Sequence, residues 1–174
     1  MKILSVVVLI LLVVACANPL NRETYRRYTE AGDQALANGR PDLAEQNYYR
    51  AAKNVEWGNL SPAEKSGALF NFANAKLRLG KFAEAVPLLL ESLALEETVS
   101  GPSSAFTMKR HFGLAIAYLG SQQEEKGVPY LLKTVPFATS EEFFSVAERY
   151  YPPYQQWLIQ HGRSSEASQL QAPK

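Results

Sequence analysis

Apolar positions along this chain recur every three or four residues, and that period predicts helices. Phe82, Ala85, Val86, Leu89 and Leu93 share one helical face. Ala44, Tyr48, Ala51 and Val55 share another, as do Val128, Leu131, Leu132 and Val135. No stretch alternates apolar and polar residues as a half-buried strand would, so everything after the first fifteen residues reads as all-α. Ser61-Pro62-Ala63-Glu64 forms a capping box with proline in the first turn, which predicts a helix running to Leu79. Gly80 ends it, and the next helix is expected over residues 82–96. Thr139-Ser140-Glu141-Glu142 gives a second capping-box pattern. It predicts a helix that ends near Tyr150, before Pro152-Pro153, followed by a short helix from Tyr154 to Gln160 that stops at Gly162. From Arg163 onward the residues are small and polar, and 163–174 is expected to be a disordered tail.

The helical pattern repeats. Ala85, Val86, Pro87, Leu89 and Leu90 fall on Gly127, Val128, Pro129, Leu131 and Leu132 at a spacing of 42 residues. Phe70, Ala73, Ala75 and Leu77 fall on Phe112, Ala115, Ala117 and Leu119 at the same spacing, and Gly80 falls on Gly39 at 41. Such periodicity predicts stacked two-helix units. Ala44, Ala85 and Gly127 near the start of each second helix, with Ala73 and Ala115 midway along the first helices, would let paired helices approach closely. Pro87 and Pro129 sit in the early turns of the second helices, where they should bend the helix slightly or mark a late start.

Gly80-Lys81-Phe82, Glu84-Ala85-Val86-Pro87-Leu88 and Gly101-Pro102 resemble the long repeats of kinesin-light-chain type within the tetratricopeptide-repeat family. The resemblance covers residues 22–136, three units, of which the middle one matches best. The first unit departs from it with Pro41 after its turn. The third has Gly127 for the usual alanine, and its turn at Gly120-Ser121-Gln122-Gln123 is one or two residues out of register. The resemblance implies a superhelix of about three helix-turn-helix repeats. The aromatic residues of 137–162 would form capping helices for the array or, in a sharper reading, a partner surface.

The head of the chain carries a separate signal. Met1-Lys2 precedes an apolar run from Ile3 to Val14, and Cys16 is the only cysteine. As a helix the run would cover about 20 Å, too little for a bilayer core of about 30 Å, so it reads as a signal segment. Val13-Val14-Ala15-Cys16 resembles the lipobox of bacterial lipoproteins. That resemblance implies removal of residues 1–15 and acylation of Cys16, with 16–21 as a lipidated N-terminus and short linker. Ala17 rather than Asp after the cysteine implies sorting to the outer membrane, with the protein facing the periplasm. The alternative is cleavage after Ala17, which would leave a soluble periplasmic binding module.

Loss of Lys2 with the signal takes the 18 basic residues to 17, against 17 acidic ones, so the mature chain is near neutral. A nucleic-acid partner would need a basic excess and is not expected. A single cysteine allows no internal disulfide. No metal-site, nucleophile-elbow or phosphate-loop motif occurs, so no catalytic residue, metal or cofactor is expected. An envelope enzyme, the remaining rival, would need His111 beside a carboxylate. In tetratricopeptide arrays the first helix of each unit lines a groove. Carried over by register, the lining here would be Arg26, Thr29 and Asp33, then Phe70, Asn71, Asn74 and Arg78, then Lys109, Phe112 and Ile116. Thr29 and Asp33 stand where a carboxylate clamp needs Lys and Asn, so capture of a C-terminal carboxylate is not expected. The resemblance implies a scaffold or adaptor that holds an envelope protein or peptide segment. Outer-membrane assembly, secretion or pilus systems and cell-wall synthesis are the machineries such proteins serve.

Overall fold

The computed structural model describes residues 19–171; the signal segment and Cys16 lie outside the described residues. Eight α-helices follow one another: α1 (Pro19–Ala37), α2 (Pro41–Trp57), α3 (Pro62–Arg78), α4 (Phe82–Ser100), α5 (Ala105–Gly120), α6 (Glu124–Lys133), α7 (Phe144–Gln160) and α8 (Ser164–Ala167), with one 3-10 turn at Val135–Phe137. The described residues contain no strand. Each helix packs on its neighbours in sequence, and α1, α3, α5 and α7 also touch in succession. The core is accordingly a string of four apolar clusters rather than a single one.

Local chemistry explains the boundaries. The Ser61 hydroxyl accepts the Glu64 amide N–H, and the Glu64 carboxylate accepts the Ser61 N–H at 2.9 Å, which completes the expected box at the start of α3. α5 begins at Ser104, whose hydroxyl accepts the Thr107 N–H at 3.0 Å. The first helices of successive pairs end in the same turn. Gly39, Gly80 and Gln122 are left-handed, and the following amides of Arg40, Lys81 and Gln123 donate to the carbonyls of Ala35, Lys76 and Tyr118 at 2.8–2.9 Å. The third turn is therefore in register with the others. Gly120 is still helical, and Gln122 takes the left-handed place.

The same turn occurs a fourth time. Gly162 is left-handed, and the Arg163 N–H donates to the Leu158 carbonyl at 2.9 Å. Ala167 then lies five residues beyond its turn, as Ala44, Ala85 and Gly127 lie beyond theirs, and it is buried. α7 and α8 thus form a shortened fourth pair. This corrects the expected tail: 164–167 is helical, and Leu170 is fully buried against the same cluster as Tyr151, Tyr154 and Leu158.

Two further expectations fail in the C-terminal part. The Thr139–Glu142 box does not form; α7 starts at Phe144, and the Glu142 carboxylate bonds Lys109 at 2.6 Å instead. Pro152 and Pro153 do not divide the helix. Pro152 is exposed and Pro153 half-buried, so the missing N–H groups lie away from the core. Ala147, Tyr151, Tyr154 and Leu158 hold the other side of α7 in the core on both sides of the pair. Pro87 and Pro129 likewise lie inside α4 and α6 rather than at a late start.

Gly127 has a packing reason. A Cβ at this position would fall on the Tyr154 hydroxyl, which donates to the Ala115 carbonyl at 2.7 Å. α7 fills the space that an alanine would occupy. Gly127→Ala is expected to cost about 1–3 kcal/mol in urea unfolding by overpacking this contact. Pairing it with Tyr154→Phe, which removes the clashing oxygen, should recover part of that loss. No recovery in the double variant would place the strain elsewhere.

Candidate partner-binding groove

Three hollows lie along the α3–α5 face and share walls. The largest, of ≈ 580 Å³, is lined by Asn74, Leu77 and Arg78 of α3, Ile116 of α5, and Val146, Arg149 and Tyr150 of α7, and it reaches Leu36 and Pro41 at the first turn. A second, of ≈ 220 Å³, continues through Asn74, Leu77 and Ile116 to Phe70, Lys109, Phe112 and Phe143. A third, of ≈ 420 Å³, continues through Phe70 and Lys109 to Asn71, Ala63, Val99 and Phe106. Together they form one trough with a mainly apolar floor and a polar rim.

Seven of the ten sequence-derived groove residues line this trough: Phe70, Asn71, Asn74, Arg78, Lys109, Phe112 and Ile116, while Thr29 does not. Arg26 and Asp33 line none of the three hollows. They are exposed on α1, where Asp33 accepts the Tyr48 hydroxyl at 2.6 Å. Burial, and then that bond, push the Tyr48 phenol up from its ordinary range. Two members are already engaged within the chain. Phe112 is a core residue, with its ring stacked 5.3 Å from Phe143 and 6.4 Å from Tyr151. Lys109 pairs with Glu142 and lies 5.4 Å from the Phe106 ring. Val146, Arg149 and Tyr150 of α7 form a wall that register alone does not reveal, because they stand outside the three repeats.

The cations of the largest hollow are Arg78 and Arg149, both exposed, and no acidic side chain shares its lining. With the Asn74 amide they can donate to carbonyls or carboxylates of an extended or helical segment whose apolar side chains rest on Leu77, Ile116 and Val146.

Beneath the third hollow is a buried polar cluster. Arg110 and Glu96 are 4% and 5% exposed and pair at 2.9 Å. Arg110 also donates to the hydroxyls of Ser92 (3.2 Å) and Ser66 (3.1 Å) and to the Phe106 carbonyl (2.8 Å). Ser66 and Ser100 donate to Glu96 at 2.7 and 2.6 Å. Burial alone would raise the Glu96 carboxyl, but the Ser100 and Ser66 bonds and the Arg110 charge outweigh it and hold the group below the usual carboxylate range. Burial lowers the Arg110 guanidinium from its ordinary value against the pull of Glu96, and a guanidinium remains charged even so. The guanidinium carbon sits 4.6 Å from the centre of the Phe70 ring, which fixes that ring in the trough wall.

His111 is fully buried on α5 with its ring 5.8 Å from that of Tyr130, and neither ring nitrogen has a hydrogen-bond partner. No carboxylate therefore lies within hydrogen-bonding reach of it. Among the described residues no group of three or more His, Cys, Asp or Glu side chains is placed to share a metal ion. Among them, too, no helix is long and apolar enough to cross a membrane. No protein-family model matches the chain, and comparison with characterised proteins gives no significant match.

Proposed function

We propose that this chain is a lipid-anchored adaptor of a bacterial envelope, built as a tetratricopeptide-like array, that holds a segment of another envelope protein in the α3–α5 trough. One observation carries the reading: seven sequence-derived groove residues on two first helices line the adjoining hollows of one trough, and its largest hollow holds Arg78 and Arg149 with no acidic side chain in that hollow's lining. The left-handed turns at Gly39, Gly80 and Gln122, spaced 41 and 42 residues apart, support the repeat assignment. The anchor rests on the Val13-Val14-Ala15-Cys16 resemblance, and an outer-membrane location on Ala17.

The test is affinity capture from crosslinked envelopes with the wild type, Cys16→Ser and the pair Arg78→Glu with Arg149→Glu. Both arginines are exposed, so their reversal should leave the fold intact, as helical circular dichroism would verify. Capture of one membrane machine is expected from the wild type, with a loss of about tenfold or more in the arginine pair. Cys16→Ser should reduce capture by removing the protein from the membrane. A folded arginine pair that captures as well as the wild type would remove the trough from the proposal.

A further inference from the structure

Trp57 is 71% exposed and Leu20 is 69% exposed, more than any other large apolar side chain among the described residues. Phe106 and Val99 are 57% and 44% exposed, whereas Ile159, at 60%, stands apart beside the Gly162 turn. Leu20, Trp57, Val99 and Phe106 stand on one edge of the helical layer, where α1, α3 and α5 begin and α2 and α4 end. Contacts confirm the gathering. A Cβ on Gly58 would meet the Cβ of Asn21 at 2.6 Å, which sets Trp57 beside the start of α1. Arg22 pairs with Glu64 at 2.8 Å, and Ala63 shares a hollow with Val99 and Phe106. The turns at Gly39, Gly80, Gln122 and Gly162 occupy the opposite edge.

The chain enters the described structure at this same edge, at Pro19, three residues after Cys16. Three residues reach about 10 Å at most. A cysteine acylated into a bilayer would hold this edge, and no other, within about 10 Å of the lipid. Tryptophan suits that depth, since its ring is apolar and its indole N–H needs a polar partner, a combination that the headgroup layer satisfies. The charges of this edge include the ion pairs Arg22–Glu64 and Lys53–Glu56, and Glu23 and Glu97, unpaired among the described residues, fit the polar headgroup layer rather than the acyl core.

We infer that the edge bearing Leu20, Trp57, Val99 and Phe106 docks onto the lipid surface, with Trp57 in the headgroup layer. The domain then stands on the membrane with its helix axes steep to the plane and its opposite turns pointing away. This inference rests on the lipid-anchor reading of Cys16.

Trp57 and Trp157 are the only tryptophans, and they report different ends of the molecule. Trp157 stacks on His161 at 4.0 Å near the Gly162 turn. The mature lipidated protein should be prepared as Trp157→Phe, leaving Trp57 as reporter, and as Trp57→Phe, leaving Trp157. Each is reconstituted into phosphatidylethanolamine–phosphatidylglycerol vesicles with and without lipids brominated just below the headgroups. Flotation is scored alongside fluorescence. Both variants should float, with Trp57 emission quenched about twofold by the brominated lipid and Trp157 emission unchanged. Flotation with equal quenching of both reporters, or of neither, overturns the docking while the anchor stands. Failure of both variants to float overturns the anchor and the docking with it.

Discussion

Arg110→Met is expected to destabilise the protein by about 3–5 kcal/mol in urea unfolding. The side chain is 4% exposed and joins three helices: α5 carries it, α4 supplies Glu96 and Ser92, and α3 supplies Ser66. Methionine keeps most of the apolar stem but leaves the Glu96 carboxylate buried without its counter-ion. The hydroxyls of Ser66 and Ser100 cannot replace that charge. Glu96→Leu alone should cost a similar amount by stranding the guanidinium. The double variant Arg110→Met with Glu96→Leu should then recover most of either loss, because two apolar side chains leave no charge to desolvate. Loss in the single variants with recovery in the double is the signature of a coupled buried pair. A loss below about 1 kcal/mol for Arg110→Met would mean that water reaches this cluster and screens it.

Acidification should weaken the fold through His111. His111 is buried without a hydrogen-bond partner, and this desolvation, aided by the nearby Lys133 ammonium, lowers its pKa to about 4 from 6.5. Between these two values the unfolded chain binds a proton that the folded chain does not. Stability is therefore complete above about 6.5 and falls as the pH drops toward 4. The loss between pH 7 and pH 5 should be about 2 kcal/mol. Glu45, Glu64 and Glu96 act lower. Burial raises each of them, but ion pairs and hydrogen bonds hold all three below 4.5, so their contribution is complete above that value and is lost only as the pH falls beneath it. His111→Phe should keep the ring volume and flatten the profile between pH 7 and pH 5. A variant that still loses about 2 kcal/mol across that interval would assign the effect to other groups.

The fold was largely legible because its information is local and repeated. The 42-residue spacing, the Ser61–Glu64 box and the small residues at Ala44, Ala85 and Gly127 each act within one or two turns of their own position. The misreadings came where a distant contact outweighed a local preference. Glu142 has the right spacing for a cap but finds a lysine on α5. Pro152 and Pro153 look like a break, yet the buried face of α7 runs past them. Residues after Arg163 look too polar to fold, although Ala167 and Leu170 are buried in the C-terminal cluster and Gln155 donates to the Ala167 carbonyl.

The trough was legible in part for the same reason. Phe70, Asn71, Asn74 and Arg78 follow from the register of a helix, whereas Arg149 and Tyr150 arrive from a helix outside the repeats. The Arg110–Glu96 pair was not legible. Fourteen residues separate its members, and nothing in either segment distinguishes them from surface charges. Only the packing of α3 against α4 and α5 takes them out of water.

That buried cluster also governs how the trough can meet a ligand. Arg110 touches both helices that flank α4's polar face and grips the Phe70 ring, so the distance between α3 and α5 is set before anything binds. A cleft held in this way loses little conformational freedom on association and has little capacity to reshape itself. Selectivity then comes from steric fit to a preformed channel, and the burden of adaptation falls on the incoming segment.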